Sequence, residues 1–533
     1  MKTLRGLLLV AVAVVSMDSG PVRSQPGAPA SAGSGGPADL ADPPADEEAG
    51  GGSGSGSALV APKDVNARLS WLREKLTAAV ASRPMLASAR VAYAITDLKS
   101  GLELANREHD TAMNLASNAK LLTGAAALAG LGGGFRWRTA VYAETDPDEA
   151  GTIKGDLIVR GRGDPTLTVG ALDQLAADVA ARGVRNVEGQ LILDTSYFDG
   201  KIEPPHFEEQ PKERAAFRAP VASFGVNRSA VVITVMAEPG GGSRITLEPQ
   251  TDYIQIAKQE VTSVREGRTR LRVEIKTKPK PRPELVELEI TGQIRIGEGS
   301  WDLKRRVDDP ARFAGEVFRK ALARHGVKIR QRALGSGTVP LTARLVAHHD
   351  SPPLTEVVRW MNKHSDNYIA ESLLKTLGAE RKGTPGPATW ADGSAALRAQ
   401  LATLGMPAGS YRSDNGSGLY AATEVSAKQL VGLLAAAHKD YRIGPDLVAS
   451  LPVGGFDGTL ARRWHGTPAQ GRVRAKTGTL DKVTTLAGYI AVDPTHVLGF
   501  AVLVNDIPAG QRRFVRELVD EMVEIMAAYL GAR

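Results

Sequence analysis

A serine and a lysine stand three residues apart at the head of an apolar segment, which reads Asn114-Leu-Ala-Ser-Asn-Ala-Lys-Leu-Leu-Thr-Gly-Ala-Ala-Ala-Leu128. On a helix, this spacing places the side chains of Ser117 and Lys120 on one face. A serine attacks a carbonyl only when a base takes its proton, and a lysine is such a base only where its pKa is lowered. We therefore predict that Ser117 is a nucleophile and Lys120 its base, with N–H groups at the helix start facing a developing oxyanion.

The S-x-x-K spacing alone identifies little, because it also occurs at Ser372-Leu-Leu-Lys375. Two further motifs follow Ser117 in the chain, Ser365-Asp366-Asn367 and Lys476-Thr477-Gly478. In this order, S-x-x-K, S-D-N and K-T-G are the triplet typical of penicillin-binding proteins and class A β-lactamases. The ordered triplet is far more specific than any one motif, and the second S-x-x-K is excluded because it follows S-D-N.

The S-D-N motif has a second copy, Ser413-Asp414-Asn415, which also precedes the lysine strand. We assign the function to Ser365, because it is expected to cap a helix whose apolar face holds it in place. Ser413 belongs to the glycine-rich stretch 412–419, which we interpret as a loop that positions nothing by itself.

Hydrophobic periodicity predicts the elements that must position these residues. The apolar segment after Ser117 is predicted to be a short buried helix that ends near Gly130 and Gly132. A helix over 65–82 and a hairpin over 89–106 precede it. The pattern from 135 to 349 predicts many short strands, including 138–143, 156–159, 190–193, 230–235, 271–275 and 285–290, with helices near 171–183 and 310–324. Later predictions are helices over 354–362, 368–377, 424–437 and 512–530, and strands over 472–480, 484–493 and 496–505.

Together these motifs resemble the D-alanyl-D-alanine carboxypeptidase/endopeptidase family of class C low-molecular-mass penicillin-binding proteins, the S13 peptidases. The resemblance runs from about residue 60 to the C-terminus and includes the long separation between Ser117 and Ser365. Supporting stretches are Gly161-Arg-Gly-Asp-Pro-Thr-Leu167, Ser351-Pro-Pro-Leu354, Met361-Asn-Lys-His-Ser-Asp-Asn-Tyr368, Asp414-Asn-Gly-Ser-Gly-Leu419, Leu451-Pro-Val-Gly-Gly455 and Ala475-Lys-Thr-Gly-Thr479.

The resemblance implies an α+β fold, in which a penicillin-binding-protein/serine β-lactamase-like domain consists of an antiparallel sheet flanked by helices. It also implies β-rich domains inserted after the nucleophile helix. The implied boundaries are 59–135 with 350–533 for the peptidase domain, 136–225 with 296–349 for inserted domain II, and 226–295 for inserted domain III.

By resemblance, the chemistry is acyl transfer on peptidoglycan stem peptides. Ser117 attacks the carbonyl between two D-alanines, Lys120 accepts the proton, and Ser365 and Asn367 relay it to the leaving amine and hold substrate. Water then releases the acyl-enzyme, which β-lactam antibiotics also form. Carboxypeptidase activity, endopeptidase activity or both fit these residues.

The resemblance also implies a substrate-binding strand. Lys476 supplies positive charge beside Lys120, and the hydroxyls of Thr477 and Thr479 lie near the terminal carboxylate, with Gly478 between them. The N–H groups of Ser117 and Thr479 form the oxyanion hole.

Asp164 is a further candidate for substrate binding. It lies in a Gly-Arg-Gly-Asp-Pro turn that presents a carboxylate on a rigid loop. One interpretation is that Asp164 selects a substrate side chain carrying an amine; the other is that it serves only its own turn.

The N-terminus predicts export. Lys2 and Arg5 precede the apolar run 6–15, so we predict a signal peptide over 1–24 and a periplasmic or cell-wall location. The apolar run is too short to span a bilayer comfortably, so a retained membrane anchor is the less favoured alternative. Residues 25–58 are rich in Gly, Ser and Pro and predict a flexible linker. The net charge of +7 suits an anionic wall polymer, or simply a soluble surface.

Composition also limits the chemistry. The chain has no cysteine, which excludes disulfides, thiol catalysis and cysteine metal sites. We expect no metal, no cofactor and no nucleic-acid partner. Two alternatives stay open: a β-lactamase, for which Glu371 and Glu380 are the candidate deacylation bases, and a non-catalytic wall-binding scaffold.

Overall fold

The computed structural model describes residues 59–210, 213–276, 285–420 and 422–532. The predicted signal peptide, 1–24, and the predicted linker, 25–58, lie outside these described residues. Within the described ranges, we find no helix with both the length and the apolar composition needed to cross a lipid bilayer.

The first elements lead the chain to the predicted nucleophile. In order they are α1 (Val65–Ala81), β1 (Arg90–Asp97), β2 (Glu103–Arg107), β3 (Ala112–Asn114) and α2 (Ala119–Leu131). The Asp64 carboxylate accepts a hydrogen bond from Ala67 N (2.8 Å) and so caps α1. β1 and β2 pair antiparallel, which confirms the predicted hairpin. α2 ends before Gly132, as predicted.

Between α2 and the S-D-N motif, the chain forms several small sheets. The elements are β4 (Arg138–Ala143), β5 (Thr152–Ile153), β6 (Leu157–Arg160), α3 (Val169–Ala181), β7 (Asn186–Val187), β8 (Leu191–Asp194), β9 (Ala230–Ala237), β10 (Ser243–Glu248), β11 (Ile254–Val264), β12 (Arg270–Ile275), β13 (Val286–Arg295), β14 (Ser300–Arg306), α4 (Pro310–Arg324), β15 (Lys328–Ile329), β16 (Leu334–Ser336) and β17 (Arg344–Asp350). The β-rich pattern predicted for this region is confirmed.

The strand orders of these sheets are β16-β8-β6-β4-β17, β15-β7-β5, β10-β9-β14 and β11-β13-β12. α3 and α4 pack against each other, and the apolar faces of both helices share one buried core with the sheets. The division of this region at residues 225 and 295 into two domains stays a prediction.

The chain after β17 supplies the remaining helices and strands. Its elements are α5 (Leu354–His364), α6 (Asn367–Arg381), α7 (Trp390–Thr403), β18 (Arg412–Ser413), β19 (Thr423–Ser426), α8 (Ala427–Lys439), α9 (Gly444–Ser450), β20 (Val473–Leu480), β21 (Val483–Asp493), β22 (His496–Asn505) and α10 (Arg512–Gly531).

One antiparallel sheet, β2-β1-β22-β21-β20, joins the two ends of the described chain, because β1 pairs with β22. Side chains alternate between the faces of a strand, so each face has its own core. One face packs against α1 and α10, and the other packs against the layer that contains α2, α5, α6 and α8. This arrangement confirms the predicted α+β fold with an antiparallel sheet flanked by helices.

One predicted helix was wrong at its start. Residues 423–426, assigned to a helix from 424, form β19 and pair with β3, where Glu424 lies opposite Asn114. The helix begins at Ala427 instead, because Ser426 and Gln429 form a reciprocal capping box. The strand therefore extends the local sheet that leads into the nucleophile turn.

Candidate active site

Ser117 lies in a short 3-10 turn, Ala116–Asn118, that leads directly into α2. Ala116 has a φ of +46°, and its N–H donates to the side chain of Asn114 (2.8 Å). A left-handed backbone at a residue other than glycine is strained, and such strain clusters at functional sites. The turn leaves Ser117 partly exposed between two buried neighbours, so its hydroxyl is accessible to a substrate.

Lys120 is fully buried and has three oxygen atoms around its Nζ. These are Ser117 Oγ at 3.0 Å, Asn367 Oδ1 at 2.6 Å and the Ser417 carbonyl oxygen at 2.9 Å. Burial lowers the pKa of Lys120 to about 7, although the nearby carboxylates of Glu371 and Asp366 oppose this shift. A lysine with such a pKa is partly neutral near pH 7 and is therefore able to act as a base.

The two carbonyl oxygens determine how a neutral Lys120 is oriented. A neutral amine has two N–H groups and one lone pair, and the oxygens of Asn367 and Ser417 only accept hydrogen bonds. They therefore take the two N–H groups, and the lone pair faces the hydroxyl of Ser117. This is the arrangement that proton removal from a serine requires.

The first S-D-N copy occupies a left-handed turn between α5 and α6. Ser365 has a φ of +56° and terminates α5, whereas the side chain of Asp366 caps α6 by accepting from Ile369 N (2.9 Å). The prediction that Ser365 itself caps a helix start was therefore wrong. Asn367 begins α6, and its amide Nδ2 donates to the Phe217 carbonyl (3.1 Å) while its Oδ1 faces Lys120.

Lys476 is the second buried lysine at this site. Its Nζ donates to Ser365 Oγ (2.9 Å) and to the Thr477 carbonyl (2.7 Å). Burial, and then the positive charge of Lys120, lower the pKa of Lys476 well below its usual value. The positive charge of Lys120 thus disfavours protonation of Lys476.

The rest of the K-T-G strand lies against the nucleophile turn. A Cβ at Gly478 would come within 2.6 Å of the Leu115 carbonyl and 3.1 Å of Ser117 N, so only glycine allows this approach. Thr477 Oγ1 donates to Thr459 Oγ1 (2.9 Å), and Thr479 is exposed. The structure thus brings Ser117, Lys120, Ser365, Asn367 and the K-T-G strand together.

The loop that contains the second S-D-N copy also contributes to this cluster. We expected residues 412–419 to position nothing, but the Ser417 carbonyl is one of the acceptors for Lys120. Gly418 has a φ of +74°, and a Cβ there would lie 1.9 Å from the Ala116 carbonyl. The interpretation of this stretch as an uninvolved loop was wrong, because its backbone packs directly against the nucleophile turn.

Asp164 is buried. Its Oδ1 accepts from both the N–H (2.8 Å) and the hydroxyl (2.6 Å) of Thr166, so this oxygen serves its own turn. Its Oδ2 is buried and accepts no hydrogen bond from the described residues. Burial raises the pKa of Asp164, and an arriving cation would reverse that effect.

Sequence reasoning missed how three groups contribute to the site: the carbonyls of Phe217 and Ser417, and the buried Glu371, which it weighed only as a deacylation base. Two of them act through backbone atoms, which leave no trace in residue type. The stretch 414–419 was part of the family resemblance, so its motif was the one available signal for Ser417.

Comparisons with known proteins identify the family of this chain. A sequence model of the D-Ala-D-Ala carboxypeptidase 3 (S13) family matches residues 72–529. The D-alanyl-D-alanine carboxypeptidase of Actinomadura sp. (strain R39) is 34% identical over 457 residues, which cover 82% of each chain. The D-alanyl-D-alanine carboxypeptidase DacB of Haemophilus influenzae is 25% identical over 425 residues, or 79% of this chain and 86% of that one.

A solved structure matches the same region. Penicillin-binding protein 4 (DacB) of Haemophilus influenzae has a TM-score of 0.69 at 24% identity, covering 86% of this chain and 98% of that chain. The structural match supports the fold, and the sequence matches confirm both the predicted family and its activity class, a serine-type D-Ala-D-Ala carboxypeptidase. The chain belongs to the D-Ala-D-Ala carboxypeptidase 3 (S13) family.

Proposed function

We propose that this enzyme cleaves the D-alanyl-D-alanine bond of peptidoglycan stem peptides through an acyl-enzyme on Ser117. The observation that carries the proposal is the buried Lys120, whose lone pair faces the Ser117 hydroxyl when its two N–H groups meet Asn367 and Ser417. As the Ser117 oxygen bonds to the substrate carbonyl carbon, its proton passes to Lys120. The N–H groups of Ser117 and Thr479 stabilise the resulting oxyanion.

Collapse of this intermediate requires a proton for the leaving D-alanine. Lys476 donates to Ser365 Oγ, which leaves the Ser365 hydroxyl proton available for the departing amine. In our proposal, Lys120 then reprotonates Ser365, and Asn367 holds the substrate backbone. Water attacks the acyl-enzyme and regenerates Ser117.

Purified peptidoglycan fragments test this function. Free pentapeptide stems report carboxypeptidase activity through D-alanine release, and cross-linked dimers report endopeptidase activity. Penicillin should block both reactions, because it acylates the same serine. Absence of cleavage on both substrates would contradict the proposal.

We expect the enzyme to recognise the free carboxylate of the terminal D-alanine through Lys476, Thr477 and Thr479. The carboxylate would raise the pKa of Lys476 and favour its charged form. A charge-assisted contact is worth roughly 1.5–3 kcal/mol, so amidation of the terminal D-alanine should slow cleavage about ten- to a hundred-fold. Thr477→Val should remove most of this difference, whereas Thr477→Ser, which keeps the hydroxyl, should retain it. Equal rates on amidated and free peptides would exclude the assignment.

We further propose that Asp164 helps to select a stem peptide with a side chain that carries an amine. The buried Oδ2, which accepts no bond from the described residues, supports this interpretation. Asp164→Asn should lower kcat/KM about ten-fold or more on a peptide with the amine and little on one without it. Equal losses on both peptides would favour a purely structural role in the Thr166 turn.

Neither alternative function has a specific observation in its favour. Glu371 already accepts two backbone N–H groups, and Glu380 pairs with Arg162 and Tyr197, so neither carboxylate is free to activate water as a β-lactamase requires. A scaffold would not need a buried lysine directed at a serine. Export to the periplasm or cell wall, by the signal over 1–24, is part of our proposal, as are the inserted domains II and III.

A further inference from the structure

The carboxylate of Glu371 lies near Lys120 and interacts with its charge. It is 3% exposed and lies in the second turn of α6. Its two oxygens accept from Gly416 N (3.0 Å) and Ser417 N (2.9 Å). A buried carboxylate is costly unless it is hydrogen-bonded, and here its partners are two backbone N–H groups and the Ser417 hydroxyl, all from one loop.

The same loop meets the nucleophile helix from the other side. Thr123, on α2, donates its hydroxyl to the Gly416 carbonyl (2.7 Å), and the Ser417 carbonyl accepts from Lys120 Nζ (2.9 Å). The peptide units of Gly416 and Ser417 are therefore held by α6 through their N–H groups and by α2 through their carbonyls. Movement of this loop would remove one of the two carbonyls that orient Lys120.

We propose that Glu371 is a positioning residue: by holding the N–H groups of Gly416 and Ser417, it directs the lone pair of Lys120 at the Ser117 hydroxyl. This inference rests on the proposed role of Lys120 as base. Without the Ser417 carbonyl, one N–H of a neutral Lys120 has no fixed acceptor, and the amine is free to rotate its lone pair away from Ser117. Glu371 itself touches neither substrate nor nucleophile.

Charge gives Glu371 a second effect that a purely structural residue would lack. Glu371 interacts electrostatically with Lys120 on α2 and Tyr420 in the loop, and Lys120 in turn interacts with Asp366 at the start of α6 and Lys476 on β20. The carboxylate of Glu371 favours the protonated form of Lys120. Removing this charge should lower the pKa of Lys120. The acid limb of the acylation-rate profile, where the rate falls as Lys120 becomes protonated, should then move to lower pH.

The test measures the second-order rate of acylation by a fluorescent penicillin across pH for Glu371→Gln. We expect the plateau rate to fall about ten- to a hundred-fold, as for loss of a charge-assisted contact, and the acid limb to move to lower pH. Thr123→Val loosens the same loop without changing charge, so it should lower the plateau rate and leave the acid limb in place. Glu380→Gln, on the same helix, should behave as wild type.

If Glu371→Gln folds poorly, Glu371→Asp keeps the charge and withdraws the carboxylate, so it should lower the plateau rate without moving the acid limb. A wild-type rate and profile in a folded Glu371→Gln would overturn the inference. A lower plateau rate with no shift of the acid limb, together with a matching loss of thermal stability, would also overturn the inference. Failure of the wild type to react with penicillin would instead contradict the role of Ser117 and Lys120.

Discussion

Ser117→Ala is expected to abolish both penicillin acylation and D-alanine release, lowering each rate by about 10³-fold or more, because no other group at this position can form the acyl-enzyme. The substitution removes one oxygen from a partly exposed side chain. Stability should therefore change by less than about 1 kcal/mol, and an unchanged thermal midpoint would show that the variant is folded.

Matched serine variants provide the controls for Ser117→Ala. Ser372→Ala, in the decoy S-x-x-K, and Ser413→Ala, in the second S-D-N copy, should retain acylation, since both hydroxyls lie outside the proton path. Ser365→Ala should lose most of the deacylation and cleavage activity. If Ser413→Ala lost as much activity as Ser365→Ala, the choice between the two S-D-N copies would be wrong.

Lys120→Met is expected to produce the second largest loss. Methionine has a similar length but no basic nitrogen, and a positioned general base contributes about 10²–10⁴-fold to a rate. The acylation rate should fall by that factor, and its dependence on pH below neutrality should disappear. If Lys120→Met kept the wild-type acylation rate, the general base would have to be another group.

The acylation rate of the wild type should depend on pH in a definite direction. Only neutral Lys120 accepts the proton, and its pKa of about 7 places half of the free enzyme in that form near neutrality. Acylation should therefore rise as pH increases through about 7, with roughly tenfold loss per unit below it, and then level off. An acylation rate independent of pH between about 5 and 9 would contradict the assignment of Lys120.

Much of the fold followed from periodicity in the sequence. β21 and β22 are apolar and buried on both faces, because each face of the sheet has its own core, and α10 has an apolar face that packs against one of these faces. α7 was not predicted, since Gly393 and Ser394 weaken its helical pattern. The glycine is there for packing: a Cβ on Gly393 would come within 2.5 Å of the Leu374 carbonyl on α6.

The residues of the candidate site were also predicted only in part. Side chains that perform chemistry, such as Ser117, Lys120 and Lys476, were identified because their types and order are specific. The groups that orient them were not, because the carbonyls of Phe217 and Ser417 come from distant parts of the chain. Backbone orientation depends on tertiary packing, which no local pattern encodes.

Mass spectrometry of the penicillin-treated protein tests the central claim most directly. Trypsin should release the peptide 108–120, in which Ser117 is the only serine. We predict that the penicilloyl adduct lies on Ser117 in this peptide and is absent from the peptides that contain Ser365, Ser372 and Ser413. An adduct on any of those serines, with peptide 108–120 unmodified, would contradict the assignment of Ser117 as the nucleophile.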